Sequence, residues 1–251
     1  MGKSKLRLAL MLGAFLGLRS GADASSFNVN PVTISLSGRG QSALLSLQNQ
    51  SDEEIRFKIA AKEWRQSPKG EMELQDTKDI VVYPAMLTLA PKQERKLRVG
   101  TTVLPGASEK SYRIFVEEMP PLKSPKVEKS EVRVLTKMGI PVFLEPAKPA
   151  VAGAVEGMAV AKGVLGFTVK NTGNVHFLVQ TVQARALDAA GATLFEKKLD
   201  GWYVLAGGTR VWEVEIPKDA CAKTKSFSIE VQAAETKFNG RLDKPVAGCG
   251  P

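Results

Sequence analysis

The chain has 251 residues, enough for one large or two ordinary domains. With 43% hydrophobic and 24% charged residues it has a globular balance, which excludes collagen, a disordered tail and a coiled coil. Thirty-five Lys and Arg against 26 Asp and Glu give a charge of +9, and one His and two Cys leave little material for catalysis or metal binding.

The chain opens MGKSKLR, continues LALMLGAFLGL and then reads RSGADA. A basic start, an apolar run of about a dozen residues and an Ala-x-Ala ending make a secretory signal, with cleavage expected after Ala24. The run is short of the roughly 20 apolar residues that span a bilayer, and no later segment approaches that length. Residues 1–24 carry four cations against Asp23, a net +3, so the remaining 227 residues carry about +6. A mildly basic, exported chain without a row of stacked aromatics argues against a nucleic-acid partner.

From Ser25 onward the pattern has a period of two, which places one set of side chains on a core and the other toward solvent. Ala43, Leu45 and Leu47 alternate with polar neighbours. Ile55, Phe57, Ile59 and Ala61 alternate with Arg56, Lys58 and Lys62, and Leu97 and Val99 follow suit. Tyr112, Ile114 and Val116 oppose Arg113, Phe115 and Glu117. Turn signals separate these runs at 37–40, 49–53, 67–71, 89–93 and 104–108. Seven or so such strands in about 120 residues predict an immunoglobulin-like sandwich.

Residues 129–146, KSEVRVLTKMGIPVFLEP, read as one long strand. Its even positions, Val132, Val134, Thr136, Met138, Ile140, Val142 and Leu144, are apolar apart from Thr136. Pro141 has no N–H, so it does not belong in a fully paired ladder, and the segment reads as an edge strand. An apolar edge needs a cover. The row either faces this domain's own core or is partly lent to another protein by strand addition. The Pro- and Lys-rich MPPLKSPKVEK precedes it.

Residues 145–157, with two prolines and two glycines, predict a domain boundary near 147–153. That gives one domain over 25–147 and a second over 153–251. In the second the strand pattern resumes with VLGFTVKN, VHFLVQTVQARAL, ATLFEKK, WYVLAGG, TRVWEVEI and KSFSIEVQA. No helix of more than two turns is expected. Cys221 and Cys249 lie 28 apart in an exported chain, which predicts one disulfide.

Enzyme chemistry has little support. His176, the lone histidine, lies near a turn of the second domain and reads as a satisfied or surface group. No metal-ligand string and no phosphate loop appear. The carboxylate pairs Glu53–Glu54 and Glu117–Glu118 are adjacent, so on a strand they point to opposite faces. Trp64, Trp202 and Trp212 with Tyr203 offer a sugar-binding face, although Trp64 reads as buried. A structural or adhesive two-domain module is the alternative to a binding protein that lends a strand.

The ordered series FNVNPVTISLSG, SLQNQSDEEIRF, YPAMLTLAPKQERKLRVG, EKSYRIFVEEMPP and VRVLTKMGIPVFLEP resembles the periplasmic chaperones of chaperone–usher pili, the PapD-like family. Leu89–Pro91–Leu97–Arg98 and the run from Tyr112 to Pro121 carry the resemblance, as do VKNTGNVHFLV and the C-terminal Cys pair. It implies an all-β fold of two immunoglobulin-like sandwiches in an L-shaped arrangement, with no cofactor. It implies a periplasmic chaperone that completes pilin-like subunits by donor-strand complementation and passes them to an outer-membrane usher. Val132, Val134, Thr136, Met138 and Ile140 map to the donated strand, and an exposed edge of this kind favours a self-capping dimer. The family anchors the subunit's terminal carboxylate with an Arg on the first strand and a Lys late on the donated one. Thr33 and Pro141 stand there in this sequence. Lys137, Arg133 and Arg113 are then the nearby cations for a carboxylate, their other reading being ordinary solvent-facing charge. The IPVFLEP ending resembles the archaic, spore-coat-type branch.

Overall fold

A computed structural model describes residues 27–38, 40–122, 134–234 and 236–243. The expected signal, Val132, Arg133 and Cys249 lie outside the described residues.

The first ten strands are β1 (Phe27–Asn30), β2 (Ile34–Leu36), β3 (Ser42–Asn49), β4 (Ile55–Gln66), β5 (Met72–Asp76), β6 (Ile80–Tyr83), β7 (Met86–Leu89), β8 (Glu94–Thr101), β9 (Lys110–Met119) and β10 (Lys137–Leu144). They build two facing sheets, one ordered β1-β3-β8-β6 and the other β2-β10-β9-β4-β5, with β7 also on β4. The alternation read from the sequence sets the interior. Leu45, Leu47, Phe57, Ile59, Leu97, Val99, Tyr112, Ile114 and Val116 all sit in one buried cluster between the sheets.

The remaining strands are β11 (Gly153–Ala161), β12 (Val164–Asn171), β13 (Phe177–Leu187), β14 (Thr193–Asp200), β15 (Tyr203–Val204), β16 (Thr209–Glu215), β17 (Ser226–Ala233) and β18 (Thr236–Asp243), with a short helix α1 (Lys218–Lys223). They form a second sandwich, β11-β12-β16 against β14-β13-β17-β18, with β15 on β13. Its core gathers Phe167, Val182, Trp212, Phe227 and Ile229. Cys221, on α1, is buried there. Among the described residues the fold is therefore two β-sandwiches with one short helix.

Corresponding turns in the two sandwiches are held by a buried amide. Asn49, ending β3, donates to the Leu89 and Ala90 carbonyls at 3.2 and 3.0 Å and accepts from the Ser51 N–H. Asn171, ending β12, donates to the Val175 and Val204 carbonyls at 2.8 and 3.0 Å and accepts from the Gly173 N–H. Each ties the start of its turn to backbone carbonyls of a second turn or strand packed against it.

Two elements depart from the sequence reading. β11 begins inside the stretch read as a break, because Val155, Met158 and Val160 pack on the second core. A bulge between Glu156 and Ala159, with Gly157 at φ 62°, interrupts the period of two that would have revealed it. Of the long strand expected over 129–146, residues 129–133 lie outside the described residues, and among the rest the paired strand is Lys137–Leu144.

The sandwiches meet at two joints. At one, Gln66 spans the gap, donating to the Tyr203 carbonyl and accepting from the Leu205 N–H, both at 2.8 Å. Beside it the β4–β5 turn docks on β16, with Thr209 Oγ1 donating to the Pro68 carbonyl at 2.7 Å and Arg210 to the Gly70 carbonyl at 3.2 Å. At the other, Asn174 Nδ2 donates to the Ala107 and Lys148 carbonyls. There the buried Glu109 carboxylate also accepts from the His176 N–H and lies 2.9 Å from its Nδ1.

Candidate functional site

The β4–β9–β10 sheet has an inner face in the first core and an outer face turned toward the second sandwich. Register places Lys62 opposite Arg113, and Arg113 opposite Pro141. Trp64 and Phe143 share that outer face and are buried with Leu205 and Tyr203 of the second sandwich. His176 stacks on Phe143 with ring centroids 3.5 Å apart. It sits just ahead of β13 and serves the joint between domains, a satisfied histidine as expected.

Arg113 lies in this aromatic box at 8% exposure. Its guanidinium is 4.2 Å from the Trp64 ring centroid and 5.6 Å from that of Trp202. The buried Nε has no hydrogen-bond partner, and no carboxylate among the described residues pairs with the side chain. Burial pushes its pKa down, against a smaller upward pull from Tyr203. An arginine keeps its charge regardless. Buried charges are ordinarily paired, and this one has no anionic partner among the described residues. Trp64 Nε1, in the same box, is a second buried donor without an acceptor.

Lys137 differs. Its side chain is 55% exposed, ion-paired to Glu117 at 3.3 Å, and lies 5.0 Å from the Phe115 ring centroid. Arg133 lies outside the described residues. Of the two expected cations among the described residues, Arg113 is the buried one.

β10 has one paired side and one partly open side. Glu118 N–H donates to the Thr136 carbonyl at 2.9 Å toward β9, whereas Glu145 N–H donates to the Leu36 carbonyl at 2.8 Å toward β2. Main-chain groups alternate sides along a strand. Even residues therefore turn theirs to β9, and odd ones turn theirs the other way. β2 pairs only with Val142–Leu144. The outward groups of Lys137 and Gly139 thus face an edge with no strand against it among the described residues, whereas the Pro141 carbonyl faces β2, whose pairing starts at the Val142–Ile34 rung. Pro141 occupies an outward position, where its missing N–H costs β9 nothing.

The expected donated row divides. Val134 is 57% exposed and precedes the strand. Thr136 is half-buried and tied to Glu118, its N–H reaching the carboxylate at 3.3 Å. Met138 leans on the first core. Ile140 is 1% exposed inside that core, so it is not on a free surface. The reason is β2: from Val142 on it closes the sandwich, and its Ile34 and Leu36 draw this end of the row inward.

Thr33, one residue before β2, stands level with Pro141, so both expected anchor positions and Arg113 share one rung. The cation on that rung comes from β9, one strand further in. The three tryptophans do not form one face: Trp212 stacks on Phe167 in the second core, while Trp64 and Trp202 flank Arg113. Sequence reading missed the aromatic box because its members come from both domains. The one signal for it is Trp64, which falls on the polar side of the β4 alternation.

The described residues thus set a partly open strand edge beside a buried cation on a two-sandwich frame. Residues 26–150 match the family described as pili and flagellar-assembly chaperone, PapD N-terminal domain. The chain belongs to this family of pilus-assembly chaperones. Among solved structures it is similar to the CsuC–CsuE chaperone–tip subunit pre-assembly complex from archaic chaperone–usher Csu pili of Acinetobacter baumannii. That match has 16% identity and a TM-score of 0.59, covering 86% of this chain and 98% of that one. It is also similar to the Salmonella enterica SafA pilin–SafB chaperone complex, at 13% identity and TM-score 0.58 over 88% and 99% of the chains. The E. coli chaperone DraB matches at 16% and 0.55 over 88% and 99%. These likenesses are of fold. No curated protein matches the chain.

Proposed function

We propose that this chain is a periplasmic chaperone that completes pilin-like subunits by adding a strand to them, holds their terminal carboxylate on Arg113, and delivers them to an outer-membrane usher. The carrying observation is the open edge of β10, which ends on the rung of a buried, unpartnered cation. Strand addition draws affinity from main-chain hydrogen bonds and specificity from alternate side chains. Val134, Thr136 and Met138 are the side chains we assign to that work, with Val132 ahead of them. The family membership and the fold likeness to a chaperone–pilin complex support the reading. The signal-like first 24 residues fit export, and an oxidising compartment fits a Cys221–Cys249 pair.

Val134→Asp tests it. Val134 is exposed, so the substitution is expected to move the chaperone's own stability by no more than about 0.5 kcal/mol. It is expected to abolish recovery of a co-expressed pilin-type subunit, because a carboxylate would be buried in an apolar groove. Undiminished recovery would show that this row is not donated.

A further inference from the structure

The Arg113 side chain starts on β9, yet the open edge belongs to β10, so its head has to pass over β10 to meet a strand added there. Gly139 is where it passes. A Cβ at Gly139 would stand 3.4 Å from Arg113 Nη1 and 3.0 Å from Phe115 Cε1. The backbone there is ordinary strand: Gly139 is absent from the positive-φ glycines, so conformation does not demand the residue. What glycine supplies is a gap in the row of side chains between Lys137 and Pro141. Immediately beyond, two features stop an added strand. Pro141 offers no N–H, and from Val142 the edge is taken by β2.

We infer that Gly139 is a positioning residue that opens the path from Arg113 to the β10 edge, and that with Pro141 it fixes the register in which a bound strand ends. The inference rests on the strand-addition reading above and deepens it. The chain end selected is one whose last residue lies beside Gly139 and Pro141 with a free α-carboxylate. A strand that continues past this point meets β2. A strand that stops short leaves Arg113 unpaired.

The probe is an acetylated hexapeptide of alternating Thr and Val, as the free acid and as the C-terminal amide. Each is titrated into the full chain while the Lys137 and Gly139 amide resonances are followed. The wild-type protein is expected to favour the acid about tenfold or more, as a charge-assisted contact implies. Gly139→Ala is expected to bind the amide within about twofold of wild type while its preference for the acid falls to about one. In an Arg113→Gln background, adding Gly139→Ala is expected to change that preference no further, the signature of two residues acting as one unit. An acid preference that survives in Gly139→Ala overturns the inference, and so does an equal loss for acid and amide, which marks a merely structural role. Independently of any variant folding, nuclear Overhauser contacts in the wild-type complex must join the peptide's last residue to the Gly139 Hα; their absence also overturns it. Peptides that leave the β10 amides unmoved refute strand addition itself, a distinct result.

Discussion

Replacing Arg113 by Met separates a binding residue from a structural one. In the free protein the guanidinium has no protein acceptor for its Nε and no ion-pair partner among the described residues. It is held by the Trp64 ring at 4.2 Å and more weakly by Trp202 at 5.6 Å. Losing those contacts costs about 1–2 kcal/mol. Removing an unpaired buried charge returns a desolvation cost of the same order or larger, and the Met chain refills most of the volume. The free protein is therefore expected to melt within about 1 kcal/mol of wild type, or slightly higher. The complex has no such compensation. A charge-assisted hydrogen bond to a carboxylate contributes about 1.5–3 kcal/mol, so subunit affinity is expected to fall roughly 10- to 150-fold. Thermal melting of the free variant and titration with a co-purified pilin-type subunit give both numbers. A variant that loses several kcal/mol of its own stability and binds normally would show that Arg113 is a structural post between the sandwiches and not an anchor.

Other substitutions probe the frame. Ile140→Asp buries a carboxylate in the first core and is expected to unfold that sandwich outright in a thermal melt, in contrast to Val134→Asp six residues earlier. Tyr112 donates to Asp79 at 2.7 Å, which holds that carboxyl below its ordinary range. A depressed carboxyl stabilises the fold above its unfolded value of about 3.8 and loses that contribution as pH falls through the lower folded value. Tyr112→Phe is therefore expected to cost about 1 kcal/mol at neutral pH, discounted because Asp79 is 31% exposed, and to flatten the acid limb of a stability–pH curve. Gln66→Ala strips both hydrogen bonds across the first joint and is expected to cost about 1–3 kcal/mol in a denaturant melt. If Cys221 pairs with Cys249, reduction is expected to cost about 3–4 kcal/mol in the chain-entropy account, and non-reducing mass analysis of the purified chain must find both thiols blocked.

What the sequence made legible follows from how local each signal is. The period of two along β4, β8 and β9 needs no knowledge of a partner strand, and every apolar residue it singled out there apart from Ala61 is buried in the first core; Ala61 packs partly buried against it. The turn that opens on Asn49 was likewise legible as turn chemistry. β11 was not, because its bulge breaks the alternation that would announce it. The apolar row of β10 was read as uniform, yet Val134 and Ile140 have opposite surroundings, and the difference is made by β2, about 100 residues earlier in the chain. Arg113 was one of three candidate cations with nothing to rank them. Its rank comes from Trp64, on the neighbouring strand β4, together with Trp202 and Tyr203, which only the docking of the second sandwich brings around it.

The division within β10 carries a mechanical consequence. Ile140, Val142 and Leu144 are locked in the first core, and Phe143, between them, is locked on the other face against Trp64, Leu205 and His176. This end of the strand is gripped from both sides, by its own sandwich and by its neighbour. Among the described residues the other end, from Val134 to Met138, is held by β9, by the Glu118 contacts and by Met138 packing against the first core. A strand lent to another protein must be presented without being ordered afresh at each encounter, since every residue fixed on binding costs about 1–2 kcal/mol of backbone entropy. Gripping 140–144 fixes one end of β10 when the protein folds, so the part proposed to be lent extends from an anchored end. It also sets the height of Arg113 relative to the open edge, because Arg113 and Pro141 share a rung and Gln66 and Glu109 fix the sandwich that encloses them. On the strand-addition reading the two joints between the domains therefore belong to the proposed binding site as much as the strand does.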